Sequence, residues 1–353
     1  MHLRYGQYPL RLARAWVIAR GRDTTDDLAS RVVFAQLADG AGSEGLGEAA
    51  PSARYDETPE TVCAFLARVD PRRLSFTDIG GSMAYLDALA PGNFAAKTAL
   101  NLALLDGAAR QAGHPIYDAL KLGFTEGKHV TSFSIGLDTP EVIRQKVLEA
   151  ARYPVLKLKV GSPRDQENLA ALRDAAPTKP VRVDANEAWK TKEEALTRLE
   201  WLASDGHIQF IEQPMPATTP AADWRWLKDR TPLPIMADES YHSAADAERC
   251  AECFHAVNVK LVKTGGLTGA YEALRAARQL GLKTMLGCMI ESSVLITAAA
   301  HLAELTDYLD IDGNLLITND PYLGATADNG VLSFAHAPEP FGLRVRARSS
   351  APA

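Results

Sequence analysis

Three carboxylates recur at regular intervals in the second half of the chain and suggest a metal site. Asp184, Glu212 and Asp238 stand in the segments VRVDAN, IQFIEQP and PIMADES, each one strand and one helix apart. Three converging carboxylates would repel one another, and a hard divalent cation such as Mg²⁺, which prefers oxygen ligands, is the natural way to neutralise them. Taken singly, each residue would more often cap a helix or a turn. The set therefore predicts Mg²⁺ as a cofactor.

Lysines form a second group of candidate side chains. Lys157 and Lys159 flank Leu158, so the two-residue period of a strand points both ammonium groups to the same side. Lys260 lies two residues after Asn258 in AVNVKLVK, so the two side chains point to the same side of that strand, which is one strand beyond the carboxylates. In isolation, Lys-Leu-Lys is typical of a half-exposed strand, but a parallel barrel is covered outside and packed inside, so its lysines reach water only at the catalytic mouth. We expect the two lysine groups to face each other across the metal.

A third group of acids closes the series of candidates. Asp310 and Asp312 lie two residues apart in DYLDIDG, so both point to the same side if that segment is a strand. Their alternative role is that of loop-end acids whose oxygens accept bonds from water or backbone groups. Placed on the same barrel mouth, they would add two negative charges beside the lysines.

Eight short apolar runs, rich in β-branched residues, must position these side chains. Each run is followed by a polar turn and a stretch of helical periodicity such as EVIRQKVLEAARY, which predicts right-handed βαβ units closing into a barrel. Active sites of such barrels lie at the C-terminal ends of the strands, where the candidates fall. The segment NLLITNDPYLG has no helical pattern, so we expect a modified TIM barrel, (β/α)7β, without an eighth helix. The runs are VTSFSIGL (130–137), VLKLKVG (155–161), VRVDAN (181–186), IQFIEQP (208–214), PIMADES (234–240), AVNVKLVK (256–263), LKTMLGCM (282–289) and DYLDIDG (307–313).

The first third of the chain has a different pattern. RVVFAQLADG and SEGLGEAAP resemble an antiparallel pair, and a long helical stretch, AAKTALNLALLDGAARQAG, follows. We expect an α+β capping domain over residues 1–125 and a barrel domain over residues 126–330. GVLSFAHAPEPFGLRV, from residue 330 onward, has strand character, and the tail, residues 331–353, is expected to return to the cap.

Two familiar patterns are set aside. GAGSEG, at residues 40–45, matches the dinucleotide fingerprint GxGxxG, but that fingerprint must open a helix, whereas LGEAAPSARY contains a proline and indicates strand and loop. Cys250 and Cys253 form a CxxC near His255, but the segment has helical periodicity and no second CxxC exists, which disfavours zinc.

Composition limits the partners. The formal net charge of -6 would repel a phosphate backbone, so a small molecule is a better partner than nucleic acid. The four cysteines are too few and scattered for a disulfide framework, which fits a reducing, cytoplasmic location. The N-terminus lacks a signal-like apolar run, and no segment reaches the ~20 apolar residues that span a bilayer, so no membrane association is expected.

Taken together, these segments resemble a known family. WVIARG (16–21), GLGEAAPSARYDET (45–58) and the helix with ALLDGAARQAG (103–113) resemble the cap of the dipeptide epimerases, in the muconate lactonizing subgroup of the enolase superfamily. In the barrel, KLKVG, VDANEAW, IEQP, ADES, NVKLVKTGGL, GCMIESS and DIDG occur in the family's order. The resemblance covers almost the whole chain, and the combination of these short segments is highly specific.

The resemblance implies roles for the candidates. The acidic pair on the last strand, Asp310 and Asp312, would hold the free α-ammonium of a dipeptide. An arginine of the cap loop reads an acidic substrate side chain in that family, and Arg22 is the candidate, with Arg20 as the alternative. Met289, in the variable MIESS segment, is a further substrate-binding candidate, although methionines more often serve packing. The resemblance also assigns Asp184, Glu212 and Asp238 to Mg²⁺, Lys159 and Lys260 to acid–base catalysis, and Lys157 to an assisting role.

The implied activity is that of an isomerase. It would invert the α-carbon next to the C-terminal carboxylate of a dipeptide, with the Ala-Glu type as a candidate, by one lysine removing a proton from one face and the other returning one to the opposite face. A cycloisomerase or an N-acylamino acid racemase with the same metal and lysines is the alternative, disfavoured by the Asp310 and Asp312 pair. An inactive relative or a binding protein would lack a catalytic position, and none is missing. A homo-oligomer is expected.

The catalytic role sets a demand on the lysines. A lysine base must be neutral, whereas a free lysine has a pKa near ~10.4 and an efficient base titrates nearer ~7 to 8. Repulsion between Lys157 and Lys159, the cation and partial desolvation would all lower the pKa. Lys263 is the alternative to Lys260 on the sixth strand, but its parity is opposite, so we expect its side chain to point away from the site.

Overall fold

A computed structural model of the chain describes residues 1–22 and 29–349, without the side chain of Arg22. The N-terminal part contains an antiparallel sheet of three strands in the order β1-β4-β5, which confirms the predicted antiparallel pair. Its elements are β1 (His2–Arg11), β2 (Val17–Ile18), β3 (Gly21–Arg22), β4 (Ala29–Ala38) and β5 (Glu44–Ala49), followed by α1 (Pro59–Leu66), α2 (Ile79–Leu89), α3 (Phe94–Ala112) and α4 (Ile116–Ala119).

Close packing of β5 on α3 forms the core of this part. A Cβ atom on Gly45 would lie 1.9 Å from the carbonyl oxygen of Ala103, and one on Gly47 would lie 1.9 Å from that of Ala99. Glycine on the strand and alanine on the helix therefore let the two backbones touch, as a larger side chain on either strand position could not. Helix α3 ends where Gly113 adopts a left-handed conformation, with φ of 73°.

The barrel is a sheet of eight parallel strands whose spatial order follows the sequence. A parallel bridge between Thr131 and Leu309 brings the two edges together, and the amide of Ser132 donates to the carbonyl of Leu309 over 3.0 Å. The eight strands are β6 (Phe133–Ile135), β7 (Leu156–Lys159), β8 (Val181–Asp184), β9 (Ile208–Glu212), β10 (Ile235–Ala237), β11 (Ala256–Val259), β12 (Lys283–Gly287) and β13 (Tyr308–Asp310).

Helices cross between successive barrel strands, and the predicted (β/α)7β barrel with an α+β cap is confirmed. After β13 the described chain makes only a short 3-10 turn, Gly313–Leu315, before strands that pair in twos: β14 (Tyr322–Leu323), β15 (Thr326–Asp328), β16 (Val331–Ser333) and β17 (Arg346–Ala347). The crossover helices are α5 (Pro140–Glu149), α6 (Asp165–Ala175), α7 (Lys192–Ala203), α8 (Ala221–Lys228), α9 (Ala247–Cys253), α10 (Leu261–Thr264), α11 (Leu267–Gln279) and α12 (Ser293–Ala300).

The tail contacts both parts of the chain. Strand β16 pairs with β15, and Val331 forms a bridge to Val130 at the start of the barrel. Further on, the amide of Leu343 donates to Asp106 of α3 over 2.7 Å. The division into a cap of residues 1–125 with 331–353 and a barrel of residues 126–330 stays a prediction, and residues 350–353 lie outside the described residues.

The remaining motifs lie in the following settings. Residues 40–43 form the turn between β4 and β5, not the start of a helix. Cys250 and Cys253 are buried on α9 and are unpaired. Among the described residues, no helix is both long and apolar enough to cross a membrane.

Glu48 of β5 fastens the cap to the barrel. Its side chain is fully buried and accepts bonds from the amide and hydroxyl of Ser292, over 2.9 and 2.6 Å, and from the amide of Leu295, over 3.1 Å. These amides belong to the first turn of α12, where backbone N–H groups have no partner within the helix. Glu48 therefore holds the segment that connects the seventh barrel strand to α12.

We predict that Glu48→Ala lowers the free energy of unfolding by about 3 kcal/mol, because it leaves buried donors without an acceptor. Urea denaturation monitored by circular dichroism measures this change. Glu44→Ala, at the exposed start of the same strand, is the matched control and should leave stability nearly unchanged. An equal loss for the two variants would show that Glu48 does not fasten the cap.

Candidate active site

The candidate residues meet at the C-terminal mouth of the barrel because each closes a strand. Lys159, Asp184 and Glu212 are the last residues of β7, β8 and β9. Asp238 and Lys260 each follow the last residue of their strand by one position. All of them are buried.

The cap covers this mouth. Trp16, Tyr55 and Arg20 line, together with the barrel lysines and Asp310, a cavity of about 60 Å³. The Nζ of Lys159 lies 5.9 Å from the centre of the Trp16 ring. A larger surface cleft of about 870 Å³ is lined mainly by residues 314–329, after the last barrel strand, and by none of the candidate residues. Chemistry, and not volume, identifies the smaller cavity as the site.

Lys157 lies at the centre of the negative charge. Its Nζ donates to Asp310 Oδ2 over 2.6 Å and lies 2.8 Å from Glu212 Oε2 and 3.1 Å from Asp184 Oδ2. The contact with Glu212 is an ion pair without hydrogen-bond geometry. Lys159 donates to the same Asp184 Oδ2 over 2.6 Å. As predicted from the strand period, both lysines point into the mouth.

Asp238 accepts hydrogen bonds from a second pair of lysines, on the side of the carboxylate group away from Lys157 and Lys159. Lys260 donates to Asp238 Oδ2 over 2.8 Å, and Lys263 donates to Asp238 Oδ1 over 2.6 Å. The prediction that Lys263 points away is wrong. The strand expected over residues 256–263 ends at Val259, and residues 261–264 form the helical turn α10, so strand parity does not apply and Lys263 turns back beneath Asp238.

For Lys157 and Lys260 the pKa is raised in this arrangement, the opposite of the expected fall. Burial alone lowers the pKa of Lys260, but the Asp238 carboxylate outweighs burial and holds the pKa well above its usual value. Burial also lowers the pKa of Lys157. The charges of Asp184, Asp310 and Glu212 outweigh burial and raise that pKa well above its usual value. Both lysines are therefore ammonium ions while they neutralise these carboxylates.

Glu212 is the least neutralised of the three predicted metal ligands. Burial, followed by the charge of Asp184, raises the pKa of Glu212 to about 8, and its Oε2 has no hydrogen-bond donor among the described residues. Burial raises the pKa of Asp184 as well, but the charges of Lys157 and Lys159 outweigh burial and hold that pKa below its usual value.

As the described side chains are placed, no three Asp, Glu, His or Cys residues form a ready metal cluster, because lysine ammonium groups lie between the carboxylates. The donor set nevertheless fits a hard divalent cation. Asp184, Glu212 and Asp238 offer oxygen ligands from three adjacent strands, and Glu212 Oε2 is buried without a donor. A cation would supply the charge that the lysines now supply.

Asp310 and Asp312 both line the cavity, as predicted. Asp310 accepts from Ser132 Oγ over 2.6 Å as well as from Lys157, whereas Asp312 accepts from the amide of Ser134 over 2.6 Å. Burial, followed by repulsion from Asp310, raises the pKa of Asp312 to about 7. An ammonium group placed beside this pair would relieve the repulsion.

The predicted cap arginine is only partly accounted for. Arg20 lines the cavity, but its guanidinium donates to Glu239 over 2.6 Å and to Glu187 over 3.2 Å. Arg54 also binds Glu187 with two hydrogen bonds, over 2.8 and 2.9 Å. Arg22 belongs to β3, and its side chain lies outside the described residues.

Several residues of the site were missed from the sequence. Trp16, Arg54 and Tyr55 reach the mouth from the cap, which strand-end arguments about the barrel cannot reveal. Glu187 and Glu239 follow the metal-ligand candidates by three positions and one position, and this proximity was an available signal. Met289 lines the cavity as predicted for a substrate contact, whereas Met285 is buried in the barrel interior.

Comparisons with known proteins identify the family of the chain. The family model described as "Enolase C-terminal domain-like" matches residues 141–331. An L-Ala-D/L-amino acid epimerase of Pedosphaera parvula is 62% identical over 348 residues, which cover 99% of this chain and 100% of that protein. The crystal structure of a dipeptide epimerase from Cytophaga hutchinsonii, complexed with Mg and D-Ala-L-Val, is 28% identical with a TM-score of 0.88 and covers 99% of this chain and 96% of that one.

A substrate-liganded L-Ala-D/L-Glu epimerase from Bacillus subtilis is also similar, at 26% identity and a TM-score of 0.88, with 97% of each chain covered. The chain belongs to the dipeptide epimerases of the enolase superfamily.

Proposed function

We propose that the chain epimerises dipeptides by inverting the α-carbon next to their C-terminal carboxylate. The observation that carries the proposal is the placement of Lys159 and Lys260 at opposite ends of the carboxylate group. Lys159 contacts Asp184 on β8, and Lys260 contacts Asp238 after β10. Inversion requires a proton acceptor on one face of the α-carbon and a donor on the other, which two such lysines provide.

We assign Asp184, Glu212 and Asp238 as the residues that hold Mg²⁺. When bound, the cation stabilises the negative charge that develops on the substrate carboxylate as the α-proton leaves, the general strategy of enolase-superfamily sites. The Mg-bound Cytophaga structure supports this cofactor. A bound cation would neutralise these carboxylates in place of the lysines. The uncompensated negative charge that favours the ammonium form of the lysines would then be smaller.

The lysines divide the proton transfer by face. One lysine, in its neutral form, takes the α-proton onto Nζ, and the ammonium of the other donates a proton from the opposite side. Lys157 contacts three carboxylates at once and is suited to remain charged and to orient the substrate carboxylate beside it. The buried setting of these groups strengthens each electrostatic contact during the reaction.

Asp310 and Asp312 fit a substrate with a free α-ammonium. Both carboxylates line the cavity of the lysines, and the pair carries more negative charge than Lys157 alone offsets. The amide of Ser134 holds Asp312 Oδ2, and Ser132 holds Asp310 Oδ1, so residues within and just before the first barrel strand fix both acids. This arrangement favours a dipeptide over an N-acylated amino acid, whose blocked nitrogen has no charge.

The expected substrates have alanine at the N-terminal position. The Pedosphaera relative is named for L-Ala-D/L-amino acids and the Bacillus relative for L-Ala-D/L-Glu, which supports Ala-Glu as one of several dipeptides. Reading of an acidic side chain by Arg22 stays a prediction, because Arg20 already pairs with Glu239 and Glu187. Assembly into a homo-oligomer also stays a prediction.

We predict that Lys159→Ala and Lys260→Ala each lower kcat for epimerisation by about 10²- to 10⁴-fold, because each removes the acid or base of one face. Exchange of the α-proton with solvent deuterium should persist for the one epimer that the remaining lysine reaches. Proton NMR of each epimer incubated in D₂O measures both effects. The assignment is wrong if Lys260→Ala retains epimerase activity while Lys263→Ala loses it.

We also predict that free dipeptides react with a kcat/KM about two to nearly four orders of magnitude higher than their N-succinyl counterparts. A blocked nitrogen leaves Asp310 and Asp312 without a cation, and stranding a buried charge costs ~3 to 5 kcal/mol. Polarimetric or NMR assays of L-Ala-L-Glu and N-succinyl-L-glutamate make the comparison. Asp312→Asn should narrow the gap, mainly by harming the free dipeptide.

Equal kcat/KM values for the free and the N-succinylated substrates would instead favour the N-acylamino acid racemase, which shares the metal and the lysines. Comparable loss of both activities in Asp312→Asn would also contradict the role given to this acid, because an N-acyl substrate has no ammonium to hold.

A further inference from the structure

In each of the three metal-ligand candidates, one carboxylate oxygen accepts a hydrogen bond from a residue other than the lysines that line the cavity. Asp184 Oδ1 accepts from the amide of Asn186 over 2.9 Å, and Asn186 adopts a left-handed conformation, with φ of 43°. Asp238 Oδ1 accepts from Lys263. Glu212 Oε1 accepts from Asn258 Nδ2 over 2.9 Å. These three oxygens form the outer set.

The other oxygen of each carboxylate contacts a lysine of the cavity. Asp184 Oδ2 contacts Lys159 and Lys157, Glu212 Oε2 contacts Lys157, and Asp238 Oδ2 contacts Lys260. These inner oxygens already face positive charge. They are therefore the oxygens that a cation can take from the lysines while the outer oxygens keep their partners.

Asn258 is the anchor with the clearest separate role. It lies on β11, is fully buried, and contacts Glu212 across 46 residues of sequence. A Cβ atom on Gly287 of the next strand would lie 2.6 Å from both Nδ2 and Oδ1 of Asn258, so glycine there is what leaves room for the amide. The Oδ1 atom has no hydrogen-bond partner among the described residues, so the amide satisfies Glu212 and little else.

Glu212 depends on this contact more than the other two acids depend on theirs. Asp184 and Asp238 each accept a hydrogen bond from a cavity lysine, whereas Asn258 supplies the one hydrogen bond that the Glu212 carboxylate receives from the described residues. A glutamate also has one more rotatable bond than an aspartate. Without the amide, only the ion pair with Lys157 would hold this carboxylate at the mouth, and a cation that takes Oε2 from Lys157 would remove that contact as well.

We propose that Asn258 is a positioning residue for metal binding: its amide holds Glu212 Oε1 and thereby presents Glu212 Oε2 to Mg²⁺. The inference rests on the proposed function, since it takes Glu212 as a ligand. Partners of metal ligands that fix their orientation commonly contribute about 10- to 100-fold to metal affinity. Asn258 touches neither substrate nor the reacting atoms in this role.

The test measures Mg²⁺ affinity by isothermal titration calorimetry, without substrate. Asn258→Leu has a similar size and no donor, and it should weaken Mg²⁺ binding by about 10- to 100-fold. Asn258→Ala, which adds no bulk near Gly287, should do the same and decides the matter if the leucine variant does not fold. The rise in Tm that Mg²⁺ causes should shrink in parallel.

Asn168→Leu is the matched control. Asn168 is buried on α6 and lies outside the site. Within the described part of the chain its side chain donates one hydrogen bond, to the carbonyl of Asp138 over 3.3 Å, and its Oδ1 likewise has no partner. Its loss should lower stability without changing Mg²⁺ affinity, which separates positioning from folding.

The outcomes distinguish the inference from its premise. If the wild-type protein binds Mg²⁺ and both Asn258 variants bind it equally well, the positioning role is refuted and the proposed function stands. If the wild-type protein binds no Mg²⁺, the proposed function fails and this inference fails with it.

Discussion

The concentration of buried negative charge at one end of the barrel is the constraint on which the site depends. Asp184, Glu212 and Asp238 are fully buried on adjacent strands, and Asp310 and Asp312 lie close by. Buried carboxylates persist only where opposite charge or hydrogen bonds compensate them. In this structure lysines supply most of the compensation, backbone and side-chain hydrogen bonds add to it, and two of these lysines are the proposed proton carriers. Neutralisation and catalysis therefore draw on one set of side chains.

The cap completes this arrangement with contacts that the barrel alone does not have. Glu48 fixes the start of α12, and Arg20 and Arg54 bind Glu187 and Glu239 at the rim. These charged contacts bring Trp16 and Tyr55 over the lysines and reduce the space at the mouth to a small cavity. A water-poor site strengthens the interactions of the acids and lysines, which the proposed removal of a weakly acidic proton requires.

Strand periodicity predicted much of this architecture, and its limits are local. It placed Lys157, Lys159 and Asp310 correctly because each lies within a strand, where alternate residues share a face. It failed for Lys263 because the chain leaves β11 and turns into a helix. The pairing of Arg20 with Glu239 joins residues far apart in sequence, so no local pattern could reveal it. The domain boundary and the catalytic and binding roles of the residues remain predictions, because folding and activity decide them and the position of a residue does not.

The central claim is that a cation held by the three carboxylates makes the α-proton of a dipeptide exchangeable. Proton NMR of L-Ala-L-Glu in D₂O with chelator-treated protein, before and after Mg²⁺ is restored, tests it most directly. The account predicts no deuterium at the α-carbon of the glutamate residue without Mg²⁺, and rapid incorporation with formation of the second epimer once Mg²⁺ is added. Incorporation at the same rate in the metal-free protein would contradict it.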